Sequence, residues 1–141
     1  MEITFVIPGE PFGKQRPKVN TFTRMAYTPD KTVAYESWVR MCYLQDFAQW
    51  KFAENSPLFV HIDAYYTIPK SATKKRLQAI ENGDDRPMKK PDWDNIGKAV
   101  CDALNSITYK DDSQIVHAVV DKWWTLDNPR VIVKISDEGA V

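Results

Sequence analysis

Cysteine and glycine are scarce in this 141-residue chain, and each scarcity excludes a class of protein. The two cysteines, Cys42 and Cys101, have neither CxxC nor zinc-type spacing, so a disulfide framework or thiolate zinc cluster has no support. Only five glycines occur and 43% of the residues are hydrophobic, which argues against a disordered chain. The sequence therefore predicts a single domain spanning residues 1–141, in a reducing, cytoplasmic setting.

The sequence also lacks a long apolar run and an excess of charge of either sign. No apolar stretch approaches the roughly 18 residues of a membrane span. The N-terminal stretch MEITFVIPGEPFG has neither the basic nor the hydrophobic region of a signal peptide. We therefore expect no membrane association. The formal net charge of zero conceals two basic stretches and one acidic one.

Hydrophobic periodicity predicts an α/β domain, with a small mixed β-sheet of about four strands packed with two main helices. One helix is expected from Asp30, its predicted N-cap, to a point before Pro57. A basic irregular loop should cover 8–29, and a short helix should lie within 69–90. The predicted strands are Ile3–Ile7, Leu58–Ile68, Ile115–Trp124 and Arg130–Ser136.

An acidic constellation lies in the stretch PDWDNIGKAVCDALNSITYKDDSQIV, residues 91–116. A predicted helix over 92–107 places Asp94, Lys98 and Asp102 on its polar face, opposite an apolar one. Asp92 lies at the helix start, and Asp111 and Asp112 lie in the following loop. Carboxylates alone form an all-oxygen ligand set, which favours Mg²⁺, or Mn²⁺ as a substitute, over zinc. Such ions support phosphodiester hydrolysis.

Ordinary structural roles could also account for these residues. Asp92 could be only an N-cap, and Asp94 with Lys98 could be a surface ion pair one helical turn apart. Asp111 and Asp112 could simply favour a turn. The spacing alone leaves both interpretations open.

The same blocks resemble the RusA-type Holliday-junction resolvases of bacteria and their phages. The family pattern of Asp-x-Asp-Asn, a lysine, Ala, Asp-Ala-Leu and a later Asp-Asp-x-Gln-Ile appears here between Asp92 and Ile115. Weaker agreement covers GKQRPK at 13–18, AYTPDKTVAYE at 26–36 and the terminal strand. The resemblance implies an α/β homodimer that introduces paired nicks across a four-way junction. It also implies magnesium ligands at Asp92, Asp94 and Asp112, with an essential lysine at Lys98; Asp111 is a possible additional site residue.

Two basic stretches are expected to bind DNA phosphates through sequence-independent charge. These contacts are inferred from the residues themselves and not from the family's motif. Phe12, Phe22 and Tyr27 could stack on bases near a junction centre or pack in the domain. The candidate cations are Lys14, Arg16, Lys18 and Arg24 in the first stretch, and Lys74, Lys75 and Arg76 in the second.

Three other functions remain open from the sequence. They are a nuclease for flaps or ordinary duplex, a junction-binding protein without cleavage, and a PD-(D/E)xK nuclease. The last is disfavoured because that motif normally places its second acid and lysine on a separate strand. His61 and His117 have no partner at ligand spacing, so the sequence predicts no metal or general-base role for either.

Overall fold

A four-stranded mixed sheet forms the centre of the molecule in the computed structural model, which describes residues 1–140. The sheet strands are β1 (Glu2–Pro8), β4 (Leu58–Thr67), β5 (Ile115–Thr125) and β6 (Arg130–Ser136), in the spatial order β1-β6-β4-β5. β6 pairs antiparallel with both β1 and β4, whereas β4 and β5 are parallel. A parallel pair needs a long crossover connection, which residues 68–114 provide.

Within residues 1–140, three α-helices accompany the sheet: α1 (Asp30–Phe47), α2 (Lys74–Glu81) and α3 (Trp93–Ala103). Alternation along the strands turns one side chain in two toward α1 and α3. This inner face contains Phe5, Ile62 and Val133, and it packs against Val39 of α1 and Ile96 of α3 in one continuous core. The predicted α/β fold, with about four strands and two main helices, is confirmed. No helix in residues 1–140 combines the length and hydropathy that crossing a membrane requires.

Several predicted boundaries were wrong. The N-cap of α1 is Pro29, so Asp30 is the first helical residue. The helix does end before Pro57 as predicted, at Phe47, and Ala48 after it adopts a positive φ of 51°. α3 ends at Ala103, before Ile107. The 8–29 segment, predicted to be irregular throughout, contains a short hairpin of β2 (Lys18–Val19) and β3 (Ala26–Tyr27).

The other face of the sheet is more polar than the inner face. On β4 it contains Phe59, His61, Asp63 and Tyr65, all of them only partly buried. We call this the outer face. Because strand alternation is strict, the same sequence segment contributes apolar groups to the core and ionisable groups to the outer face.

Candidate active site

The N-terminus of α3 is fixed by contacts from two distant segments. The Tyr66 hydroxyl donates to the Pro91 carbonyl at 2.9 Å, immediately before Asp92. Gly13 lies so close that a Cβ there would stand 2.7 Å from the Cβ of Pro91. Asp92 occupies the N-cap position, yet its side chain makes no capping hydrogen bond. Its exposed carboxylate is therefore not used to cap the helix.

A cavity of about 300 Å³ lies between α3 and the sheet strands β4 and β5. Asp94, Lys98 and Asp112 all line it, so the structure brings these three predicted site residues to one place. Among residues 1–140, no carboxylate lies within the 4.0 Å salt-bridge distance of the Lys98 ammonium, so the predicted alternative of an Asp94–Lys98 ion pair is not formed. Asp92 lines an adjacent cavity of about 340 Å³, together with Lys14 and Lys90.

The turn that carries Asp112 is built by its neighbours. Asp111 accepts a hydrogen bond from the Ser113 backbone N–H at 2.9 Å, and this bond holds the pKa of Asp111 below its ordinary value. The Gln114 side chain accepts from the Asp111 backbone N–H at 3.3 Å, which completes a capping box at the start of a short 3-10 helix, Asp112–Gln114. The geometry thus gives Asp111 a capping role and leaves the Asp112 carboxylate facing the cavity.

Asp112 lies in an environment that disfavours its charge. Burial is the main cause that raises its pKa, followed by hydrogen bonding to and repulsion from the Asp102 carboxylate. Lys98 acts in the opposite direction. Two carboxyl groups, Asp102 on α3 and Asp112 in the turn before β5, are therefore held close together. Such a pair is typical of sites that bind a cation or share a proton.

Lys14 has contacts different from those that the sequence predicts. Its ammonium lies 2.8 Å from Glu36 on α1 and 3.1 Å from Asp102 on α3, and only 20% of its side chain is exposed. Desolvation lowers the pKa of Lys14, but hydrogen bonds to Glu36 and Asp102 leave it above its ordinary value. Lys14 therefore joins the two main helices beside the cavity instead of extending into solvent as a phosphate contact.

The other predicted cations divide into two groups. Arg76 donates to Asp85 at 3.0 Å and its guanidinium lies 5.4 Å from the centroid of the Trp124 ring, so it is already engaged. The remaining five are exposed, and within residues 1–140 none has a carboxylate within 4.0 Å. They are Arg16, Lys18 and Arg24 in the hairpin segment, and Lys74 and Lys75 on α2.

The ligand atoms of the three predicted magnesium ligands lie farther apart than those of a second cluster of ionisable side chains. Among residues 1–140, only His61, Asp63 and Asp121 bring three ligand atoms within 4.8 Å of one another. The carboxylate oxygens of Asp92, Asp94 and Asp112 do not all lie within 4.8 Å of one another. The prediction that His61 has no partner at ligand spacing was wrong, because its partners come from strand pairing and not from sequence proximity.

Comparison of the sequence with known proteins identifies the family of this chain. The family model described as "Endodeoxyribonuclease RusA" matches residues 8–136, which include every element except β1, of which only Pro8 is covered. The chain belongs to the RusA endodeoxyribonuclease family. A relative from Bacillus subtilis (strain 168), described as "Uncharacterized protein YqaN", is 34% identical over 142 residues and covers 98% of each chain. The predicted family membership is confirmed.

Three residues near the RusA-family motif were missing from the predicted site. Asp102 contacts Asp112 and Lys14, although helical spacing had already placed it beside Lys98. Trp93, between the two motif aspartates, lines the cavity with 66% of its surface exposed. Lys90 borders the cavity beside Asp92. Trp93 and Lys90 could have been found from the sequence because they lie directly beside the motif aspartates. The Lys14–Asp102 contact could not, because no local sequence pattern indicates it.

Proposed function

We propose that this protein is a magnesium-dependent endonuclease that resolves Holliday junctions by paired, symmetric nicks. The observation that carries the proposal is the cavity where Asp94 and Asp112 face an ammonium, Lys98, that has no carboxylate partner within salt-bridge distance among residues 1–140. Family membership supports an endodeoxyribonuclease. A carboxylate pair beside such a cation suits the charge of a metal-bound phosphodiester.

The donor chemistry around the N-terminus of α3 fits magnesium. Asp92, Asp94 and Asp112 would hold the ion through oxygen atoms, which Mg²⁺ prefers. Cys101 also lines the cavity, but burial raises the pKa of its thiol to about 12, so it stays protonated and is a poor metal ligand. When bound, the ion would activate the attacking water and neutralise charge on the phosphate. Mn²⁺ should substitute because it accepts the same ligands.

Lys98 and Asp102 would support this chemistry without holding the ion. The Lys98 ammonium would contact the scissile phosphate or the leaving oxygen, where negative charge increases during cleavage. Asp102 would position Asp112 through a direct side-chain contact, and the Lys14 ion pair would hold Asp102 in place. These side chains come from α3, the 8–29 segment and the turn before β5, so cavity geometry depends on how those elements pack.

The exposed cations support DNA binding on two surfaces. Arg16, Lys18 and Arg24 surround the β2–β3 hairpin, at whose turn Phe22 is 96% exposed. The Asn20 side chain accepts from the backbone N–H groups of Phe22 and Thr23, which orders this turn. Phosphate contacts from the cations and base stacking by Phe22 would together suit a branched substrate with exposed bases. Lys74 and Lys75 would supply the second surface.

Paired nicks require two copies of the site. Each chain has one such cavity, and a four-way junction has approximate two-fold symmetry, so we propose a homodimer with a matching axis. Light scattering coupled to gel filtration would measure the mass in solution. A monomer, both free and bound to junction DNA, would contradict symmetric cleavage by one assembly.

Cleavage of defined DNA substrates tests the proposed activity. Purified protein would be incubated with synthetic four-way, three-way, flap and linear DNA in Mg²⁺, in Mn²⁺ and in EDTA. We expect symmetric nicks in the four-way junction, and none in EDTA. Preference for flaps or linear duplex would favour a different structure-selective nuclease. Tight junction binding without cleavage in either metal would indicate a non-catalytic junction-binding protein.

A further inference from the structure

A mixed nitrogen and oxygen cluster lies on the outer face, away from the α3 cavity. The His61 Nε2 atom lies 3.0 Å from an Asp121 carboxylate oxygen and 3.3 Å from an Asp63 carboxylate oxygen. The side chains of His61, Asp121 and Asp63 are partly shielded from solvent, with 24%, 35% and 18% of their surfaces exposed, respectively. None of them lines the cavity that contains Lys98.

Strand pairing fixes this cluster. Asp63 on β4 is the register partner of Asp121 on β5, and His61 precedes Asp63 by two residues, which places all three on the same face. Two carboxylates directly opposite each other on neighbouring strands repel, so a cation bound between them would be stabilising. The cluster rests on two hydrogen-bonded strands instead of a loop, so its ligand atoms are held in position by the backbone.

Neighbouring groups orient the two carboxylates. The Trp123 indole N–H donates at 2.9 Å to the same Asp63 oxygen that faces His61, a contact that fixes the orientation of this carboxylate. Arg86 lies 3.6 Å from one Asp121 oxygen, and the other oxygen faces His61. Lys134, the register partner of His61 on β6, lies within salt-bridge distance of neither carboxylate.

We infer that His61, Asp63 and Asp121 form a second metal site, specific for a first-row transition ion such as zinc. Zinc ligands stand about 2.0 to 2.2 Å from the ion in a tetrahedral arrangement, so adjacent ligand atoms are about 3.4 Å apart. The observed separations of 3.0 and 3.3 Å need little adjustment to reach that geometry. An imidazole ligand favours zinc, cobalt or nickel over magnesium, in contrast to the all-oxygen set at the α3 cavity.

Zinc titration in excess Mg²⁺ tests this site independently of nuclease activity, because Mg²⁺ occupies sites that prefer oxygen ligands. Calorimetry should detect one zinc ion bound per chain. His61→Ala and Asp121→Asn should each weaken zinc binding by more than about tenfold, since both remove a direct ligand. Trp123→Phe should weaken it by about tenfold because Asp63 is then no longer oriented by the indole N–H. His117→Ala, which removes the other histidine from the same sheet face, should leave zinc affinity unchanged.

The wild-type protein offers a readout that does not depend on how the variants fold. The chain has only two histidines, so their imidazole signals can be separated by proton NMR, and His117→Ala assigns them. Zinc should shift the His61 signal at one equivalent and leave the His117 signal in place. Absence of zinc binding in Mg²⁺, an unshifted His61 signal, or loss of zinc through Asp112→Asn instead of His61→Ala would overturn the proposal. A cluster that is merely an ion pair gives the first two results.

Discussion

Replacing Asp112 with asparagine should abolish cleavage while leaving the metal-free protein at least as stable as the wild type. Asparagine keeps the shape of the side chain and one carbonyl oxygen. It removes the negative charge that a hard divalent cation needs. In the structure, Asp112 faces the cavity and takes no part in the capping box of its own turn, which Asp111 and Gln114 form. The substitution therefore changes charge at the cavity without breaking the turn.

The stability gain follows from repulsion between Asp112 and Asp102. Two like charges about 4 Å apart repel by about 1 kcal/mol in water and by about 4 kcal/mol at an effective dielectric of 20. Lys14, 3.1 Å from Asp102, and Lys98 offset much of this repulsion. A net gain of about 1 kcal/mol is reasonable after screening by solvent. For a domain of this size, it raises the melting temperature by about 2 to 4 °C.

The gain should depend on pH in a direction fixed by the raised pKa of Asp112. The folded protein retains this proton to a higher pH than the unfolded chain does, so protonation favours folding at low pH. That contribution is lost as the pH rises from the ordinary aspartate pKa through the folded value. Thermal melts in EDTA should therefore converge for wild type and Asp112→Asn at acidic pH and separate toward neutral pH.

Asp111→Asn is the matched control, because it makes the same change in the adjacent residue. Asparagine caps helices about as well as aspartate, so this variant should retain both cleavage and stability. Melts in EDTA, gel shifts and nicking assays on one four-way junction would compare the two variants. Cleavage by Asp112→Asn, or melting several degrees below wild type in EDTA, would refute the assignment of Asp112. Loss of cleavage in Asp111→Asn alone would exchange the two roles.

Three further variants test other parts of the protein. Lys98→Ala should lower the cleavage rate by about 10² to 10³ with little change in junction affinity, measured by single-turnover nicking and gel shift; near-normal cleavage would contradict a phosphate contact. Joint neutralisation of Arg16, Lys18 and Arg24 should flatten log K against log salt by about 0.9 unit for each phosphate that is no longer neutralised, and an unchanged slope would place the hairpin away from DNA. Gly13→Ala forces a Cβ to 2.7 Å from the neighbouring proline, so it should destabilise the fold by about 1 to 3 kcal/mol in urea unfolding; wild-type stability would show that the segment moves freely.

Local hydrophobic periodicity in the sequence was enough to predict most of the fold. Alternation in β4 places Val60, Ile62, Ala64 and Tyr66 on one face, which is buried, because a strand turns every second side chain to the same side. Helix ends were less accessible to sequence reasoning. The apolar pattern continues past Phe47 through Trp50, but the chain reverses at Ala48, and Trp50 instead accepts a hydrogen bond from Tyr43. The apolar spacing at Trp50 therefore reflects a tertiary contact and not a continuation of the helix.

Some residues of the candidate site could be predicted from the sequence and others could not. Asp94 and Lys98 lie one turn apart on α3, so their common direction follows from helix geometry. Asp112 reaches the same cavity only because β5 starts beside α3, which the sheet order determines. Lys14 belongs to a basic segment that suggests a phosphate contact. Its actual partners, Glu36 and Asp102, come from two separate helices, and no local pattern indicates them.

The outer face shows why strand register limits sequence reasoning most strongly. His61 and Asp63 are near in sequence and share a face, but Asp121 approaches them only because β4 and β5 pair in one particular register. A shift of one residue would turn Asp121 to the inner face and place Val120 or Lys122 on the outer one. That register is enforced from the inner face, where Val120 and Trp124 pack against the core. Apolar packing on one side of the sheet therefore determines which charged groups meet on the other side.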